Sequence, residues 1–346
     1  SSDVCSSDLL KKGYVVKFIG DNYLHEEPYT STLQQMGIEV LYGQEYLTGI
    51  WDWLVKNGKD IHVAYLNRPH IATKYVDFIK EHTDIKMIYY GHDLHFMREF
   101  REYELTGDVK KRQESEYWKS IEFSLFHKVA VSYYPSYVEE EAIHAVDETI
   151  PVKAITAYVY EEFLQNLNKD FAKREGLLFV GGFAHPPNAD AVLWFAKEVF
   201  PKIREQIKVN FYIVGSKVTD EIKALEQPGN GIIVKGFVSE EELADLYRNC
   251  RIVVVPLRYG AGVKGKVVEA IYNGAPIVTT SVGSEGIPDV EKVLLVKDQP
   301  DEFAETVVEF YKDEKRLEDL AEKTQVYIRE HFSIDAAWDV IKEDFE

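Results

Sequence analysis

The chain reads as an α/β protein made of two Rossmann-like domains in tandem, on three observations. Short apolar strands alternate with helical stretches along its length, an order that gives parallel strands with helices on both faces. Its 346 residues suffice for two domains of ordinary size. A hydrophobic content of 45% with 13% aromatic residues suits globular cores.

Residues Ser1 to Leu9 nearly repeat themselves, show neither period, and read as a cloning or assembly scar outside the fold. Leu10 to Tyr14 reads as the end of a first helix. Strands follow at Val15–Ile19, Ile38–Leu41, Ile61–Tyr65, Lys86–Tyr90 and Lys128–Ser132. Helices are expected at Thr32–Met36, Leu47–Val55, Thr73–Glu81, one long stretch Phe96–Phe126, and Tyr137–Ala145. Asn, Lys, Asp and Glu dominate Tyr160–Glu175, the expected linker. The second series has strands at Leu177–Val180, Val209–Val214, Gly231–Val234, Ile252–Val255, Ile277–Thr280 and Val293–Val296. Pro186-Pro187 starts a helix to Gln206, and the last helices span Asp301–Glu330 and Ala336–Phe345. The domains are therefore 10–165 and 166–332, with 333–346 a closing helix.

The formal charge of −19 argues against nucleic-acid wrapping and wide contact with anionic lipid. No apolar run approaches the ~18 residues of a membrane span. Two cysteines in unrelated contexts, Cys5 and Cys250, supply no disulfide framework and point to a reducing compartment. Cys250 reads as a small core residue, and Glu139-Glu140-Glu141 as a solvated helix start.

The most informative stretch is Arg258-Tyr259-Gly260-Ala261-Gly262-Val263-Lys264-Gly265-Lys266-Val267-Val268-Glu269-Ala270, after the strand Ile252–Val255. Backbone amides at a helix N-terminus beside Arg and Lys bind anions, phosphates above all. Glu269 lies three residues beyond Lys266, on the same helical face, where a carboxylate can accept from a sugar diol. Diphosphate plus diol describes a nucleotide-sugar. Read blandly, the same stretch is a strand-turn-helix with solvated lysines. Gly181-Gly182 ends the first strand of the second half, and Asn188 beyond it reads equally as a helix cap. In the first half, Gly91-His92-Asp93-Leu94-His95 ends a strand, with Arg98 and Arg101 on the next helix. Locally, Asp93 would cap that helix and His92 satisfy a nearby hydrogen bond. Arg68 also ends a strand, facing a cleft or shaping a loop.

From Arg258 the residue types run Arg-x-Gly-x-Gly-x-Lys-x-Lys-x-x-Glu-Ala, then Gly274-x-Pro276-x-Val278-x-Thr280 and Gly283-Ser284-Glu285-Gly286. This resembles the donor-binding segment of the family-4 retaining glycosyltransferases of GT-B fold. The resemblance runs from about Leu10 to the C-terminus and is strongest over Leu177–Glu285. It implies a cleft between the domains, a final helix returning to the N-terminal domain, and a first strand with a glycine-bearing loop ahead of Leu10. It implies transfer of a sugar from a nucleoside-diphosphate sugar to an acceptor hydroxyl, on a glycan, lipid-linked or other acceptor, with no metal or cofactor. Assembly of a surface polysaccharide or glycoconjugate is the implied role, in the cytoplasm with at most peripheral contact at the membrane's inner face.

By the same resemblance Gly181, Gly182, Arg258, Gly260, Gly262, Lys264, Lys266, Glu269 and Glu285 bind the donor. His92, Arg258 and Lys266 are catalytic, and Asp93, His95 and Arg98 lie on the acceptor side. Many family members carry a second glutamate seven residues before the one matching Glu269; Ala261 stands there. A GT-B nucleotide-sugar 2-epimerase and a non-catalytic GT-B module remain alternatives.

Overall fold

The computed structural model describes residues 9–346 apart from 157 and 261, so Ala261 and residues 1–8 of the stretch read as a scar lie outside the described residues, while Leu9, the last of that stretch, is helical and packs against an apolar cluster of the fold. The chain divides into two compact units: one runs to Val159 and takes back Ala337–Glu346, the other is Tyr160–Ala336. The expected boundaries after residues 165 and 332 give way to 159 and 336 for a packing reason. Tyr160 bridges to Ser333 and stacks on Tyr272 at 4.1 Å, so the linker's start already belongs to the second unit.

The first unit contains strands β1 (Lys17–Ile19), β2 (Glu39–Leu41), β3 (Val63–Asn67), β4 (Lys86–Tyr90), β5 (Val131–Tyr134) and β6 (Val152–Ala154). β1 pairs with β2, and β3-β4-β5-β6 form a separate parallel sheet. β6 has no counterpart in the sequence reading. A cavity of about 590 Å³ lies between the two sheets, lined by residues from both β1 and β3, among them Phe18, Ile19, Tyr65 and Leu66. Trp338 packs tilted and Phe345 edge-on against Tyr14, and Asp344 accepts from Tyr133 and Lys153 at 2.7 Å each. The chain's last residues thus complete this unit's second apolar cluster, with Ile88, Tyr90 and Val131.

Two expectations for this unit fail. The long helix Phe96–Phe126 is two helices, His95–Thr106 and Val109–Phe126. Gly107, at φ +70, ends the first in the left-handed conformation that glycine adopts cheaply, and Asp108 caps the second. The Glu139–Glu141 run is not simply solvated. Glu139 is buried and accepts from the hydroxyl of Ser136, the helix cap, and Glu140 accepts from the Ala154 amide at 3.0 Å.

The second unit contains β7 (Leu177–Val180), β8 (Phe211–Val214), β9 (Ile232–Gly236), β10 (Ile252–Val255), β11 (Ile277–Thr279) and β12 (Leu294–Val296). All are parallel in the order β12-β11-β10-β7-β8-β9, the doubly wound arrangement whose strand order reverses between β7 and β10. Pro186–Trp194 continues through a π turn, Phe195–Val199, into Phe200–Gln206. The expected last helix breaks into Pro300–Lys312 and Glu314–Phe332, because Asp313 caps the second by accepting from the Arg316 amide. Cys250 is buried in the core, with its thiol pushed up to about 11 by burial. Arg174, also buried, donates to the carbonyls of Cys250, Asn168 and Tyr247, pinning the segment that enters β7. Among the described residues no helix is long and apolar enough to cross a membrane.

Candidate functional site

The chemistry of the second unit gathers where its strand order reverses. β7 ends in Gly181-Gly182, and β10 leads through the glycine loop into the helix Gly265–Tyr272. Gly215 shows how tightly β7 and β8 approach: its φ is +155, and a Cβ there would collide with the Gly181 carbonyl oxygen. A Cβ at Gly181 would lie 2.7 Å from the Lys266 ammonium and 3.0 Å from the Asn188 side chain. Among the described residues no side chain caps the Gly265–Tyr272 helix, which leaves the amides of its first residues without a side-chain acceptor.

The three cations of the loop part company. Arg258 forms a two-point ion pair with Asp190, its Nε donating at 2.8 Å, and half of its side chain is exposed. Lys264 donates to the Gly262 carbonyl and lies 3.5 Å from the Glu285 carboxylate. Lys266 is held by the side-chain amide oxygen of Asn188 and by the ring face of Phe179, 4.7 Å away. Among the described residues no carboxylate comes within ion-pair distance of it. Burial, then the charge of Lys264, pulls its pKa down to about 7. The same two lysines, after burial, lower His185.

Glu269 stands three residues past Lys266 and accepts from the buried Tyr247 hydroxyl at 3.3 Å. Burial raises its carboxyl, and that hydrogen bond opposes the rise. Asn188 is no helix cap: His185 occupies that position, and the Asn188 amide instead donates to the Gly182 carbonyl at 2.7 Å. Asp190, Phe179 and Tyr247 were not assigned roles from sequence. Asp190 and Asn188 sit two apart on one helix start, a legible signal; Tyr247 becomes a partner only by packing.

In the first unit His92 adopts a left-handed backbone, φ +64, as does Arg68 at +62. Such conformations cost energy in non-glycine residues and cluster at functional sites. These two follow the C-terminal ends of β4 and β3. The His92 ring lies 4.4 Å from that of Tyr90, and its Nε2 is 3.1 Å from Asn67 Oδ1. Burial, then the Arg68 charge, lowers its pKa to about 4, so the ring is neutral at pH 7.

Asp93 does not cap the following helix. It pairs with Arg98, while the fully buried Glu122 accepts from the amides of His95 and Phe96 at 2.9 and 3.2 Å. His95 is held by the same carboxylate through Nδ1 and stacks on Trp118 at 4.6 Å. A helix start that needs a cap has recruited a carboxylate from a neighbouring helix, which no local motif announces. Among the described residues no three His, Cys, Asp or Glu side chains gather as a metal site.

Residues 174–313 match the glycosyl transferases group 1 family. The fold is GT-B, and the matched residues lie within the second unit. Solved structures of similar fold include a sucrose-phosphate synthase from Thermosynechococcus elongatus (TM-score 0.68, 15% identity, 98% of this chain and 90% of that one). Anabaena HepE, solved in complex with UDP, is similar at TM-score 0.68 and 13% identity, over 99% and 95% of the two chains. The TarM structure matches at 0.66 and 13%, over 86% and 57%. A Klebsiella pneumoniae relative, described as an uncharacterized 44.6 kDa protein in the cps region, is 29% identical over 184 residues. That match spans 51% of this chain and 45% of the relative, so the chain covers under half the relative's length. The group 1 match contains Gly181, Asn188, Lys266 and Glu269, the residues that surround the reversal of strand order.

Proposed function

We propose that the protein is a nucleotide-sugar glycosyltransferase, retaining and independent of metal, that transfers a sugar to an acceptor hydroxyl in polysaccharide or glycoconjugate assembly. One observation carries the reading: the Lys266 amine meets a neutral amide and, among the described residues, no carboxylate and no side-chain helix cap, beside a glycine turn and a helix N-terminus at the strand-order reversal. That is the chemistry a departing nucleoside diphosphate needs. Arg258 and Lys264 keep their carboxylates until a ligand competes for them. Glu269 accepts the ribose diol, and Glu285 lies beside Lys264 on the donor side. His92, neutral at pH 7, serves the acceptor side as a hydrogen-bonding group.

The fold neighbours crystallised with UDP support the donor class, and the cps-region relative supports the polysaccharide role. The cations take the place of a divalent ion in stabilising the leaving group, so no cofactor is required. The cytoplasm is the compartment that suits a nucleotide-sugar donor. The test is product analysis with a panel of nucleoside-diphosphate sugars. Transfer with retained anomeric configuration, undiminished by EDTA, is expected. A free epimerised sugar nucleotide, or strict dependence on manganese or magnesium, overturns the assignment.

A further inference from the structure

Asn188 is buried in the first turn of the Pro186–Trp194 helix and uses both ends of its amide. The nitrogen donates to Gly182 O at 2.7 Å, and the oxygen accepts from Lys266. One side chain therefore ties three pieces together: the turn after β7, its own helix, and the first turn of the Gly265–Tyr272 helix. The nature of the tie matters. A carboxylate would orient the ammonium and cancel its charge, as Asp190 does for Arg258 two residues further along the same helix. A neutral amide oxygen orients the ammonium and leaves the charge in place.

We propose that Asn188 is a positioning residue that aims Lys266 at the β7–β10 reversal as an uncompensated cation for the diphosphate of a nucleoside diphosphate. This rests on the donor-site reading above and adds the residue that makes it work. The charged and titratable groups around Lys266 are Lys264, which opposes its protonation, His185, whose own protonation the two lysines oppose, and Glu285, which faces Lys264. With its pKa near 7, the ammonium is present below that pH and lost above it. Binding of a diphosphate therefore weakens as pH rises through neutrality. Asn188→Asp places a carboxylate at the ammonium, so Lys266 keeps its proton to higher pH while its charge is cancelled. Asn188→Ala removes the aim and not the charge.

The experiment measures UDP affinity by calorimetry from pH 6 to 9 for the wild type, Asn188→Ala, Asn188→Asp, Lys266→Ala and the Asn188→Ala/Lys266→Ala pair. Melting temperatures are taken on the same samples. Alongside, the rate of Lys266 acylation by a lysine reagent is followed against pH by mass spectrometry in the free proteins. At pH 6.5, Asn188→Ala and Asn188→Asp are each expected to bind UDP about tenfold more weakly. In Asn188→Asp, the midpoints of both affinity and acylation move upward. On the Lys266→Ala background, Asn188→Ala costs little more. Equal losses with and without Lys266, or an acylation midpoint unmoved by Asn188→Asp, overturn the proposal. Failure of the wild type to bind UDP or any other nucleoside diphosphate sinks the donor-site reading instead, and the acylation profiles still decide whether Asn188 governs Lys266.

Discussion

The two units share an alternation of strands and helices but not its outcome. In the second, six parallel strands form one continuous sheet with β7 inside it, and Leu177, Leu178 and Phe179 of that strand are wholly buried. In the first, the β1–β2 pair and the β3–β6 sheet stand on either side of a cavity, and every residue of β3 remains partly exposed. The cavity occupies the place that β7 holds in the second unit, between the two halves of a doubly wound order. A strand in mid-sheet buries both faces and pairs both edges; a strand beside a gap does neither. The contrast extends to backbone conformation. At the reversal in the second unit glycine carries the left-handed positions, whereas in the first unit Arg68 and His92 carry them, beside a Gly91 packed tightly against the Tyr134 ring. One site is built by close approach of backbones and the other by strained side-chain-bearing residues.

This comparison can be broken at its tightest point. Gly215→Ala meets the Gly181 carbonyl with a positive φ, and is expected to lower the stability of the second unit by about 3 kcal/mol. Calorimetry should show the second unit's unfolding transition falling alone; a shift only in the first unit's transition would reverse the assignment of units. Glu122→Ala is the counterpart in the first unit. It leaves two half-buried helix-start amides and His95 without their acceptor, at a cost of about 2 kcal/mol. Hydrogen exchange should then quicken first in His95–Thr106, and unchanged protection there would mean that water replaces the carboxylate.

Glu269→Gln sharpens the donor-site half of the comparison. Nucleoside diphosphate affinity should fall about tenfold with little change in melting temperature, because Tyr247 can still donate to the amide oxygen. Calorimetric affinity equal to wild type would remove Glu269 from the site.

The smallest effect concerns His92. Its folded pKa, about 4, lies below the ordinary imidazole value of 6.5, so unfolding takes up a proton when the pH lies between them. The contribution is present above about pH 6.5 and lost progressively as pH falls toward 4. Wild type should therefore lose more melting temperature across that window than His92→Gln. Parallel profiles would show that the ring is not held neutral by its surroundings.

Much of the second unit was legible because its signals are local. Four apolar residues followed by Pro256, spaced glycines and a helix pattern specify β10, the loop and the Gly265–Tyr272 helix without help from elsewhere in the chain. Pro186-Pro187 marked a helix start, and Cys250 a core position. The cationic content of Arg258, Lys264 and Lys266 was equally plain.

What the one-dimensional pattern lacked was the partner of each charge, and that tertiary structure alone decided. Asp190 claims Arg258 and Glu285 faces Lys264, while Lys266 meets a neutral amide; three cations in nine residues thus become one uncompensated charge. Glu122 reaches the start of a helix more than twenty residues away, and Tyr247 reaches Glu269 across two helices. Periodicity and turn chemistry act over a few residues and so survive in sequence. Electrostatic compensation and burial depend on which distant segments meet, and only the packed sheet, with its strand order reversing between β7 and β10, brings those segments together.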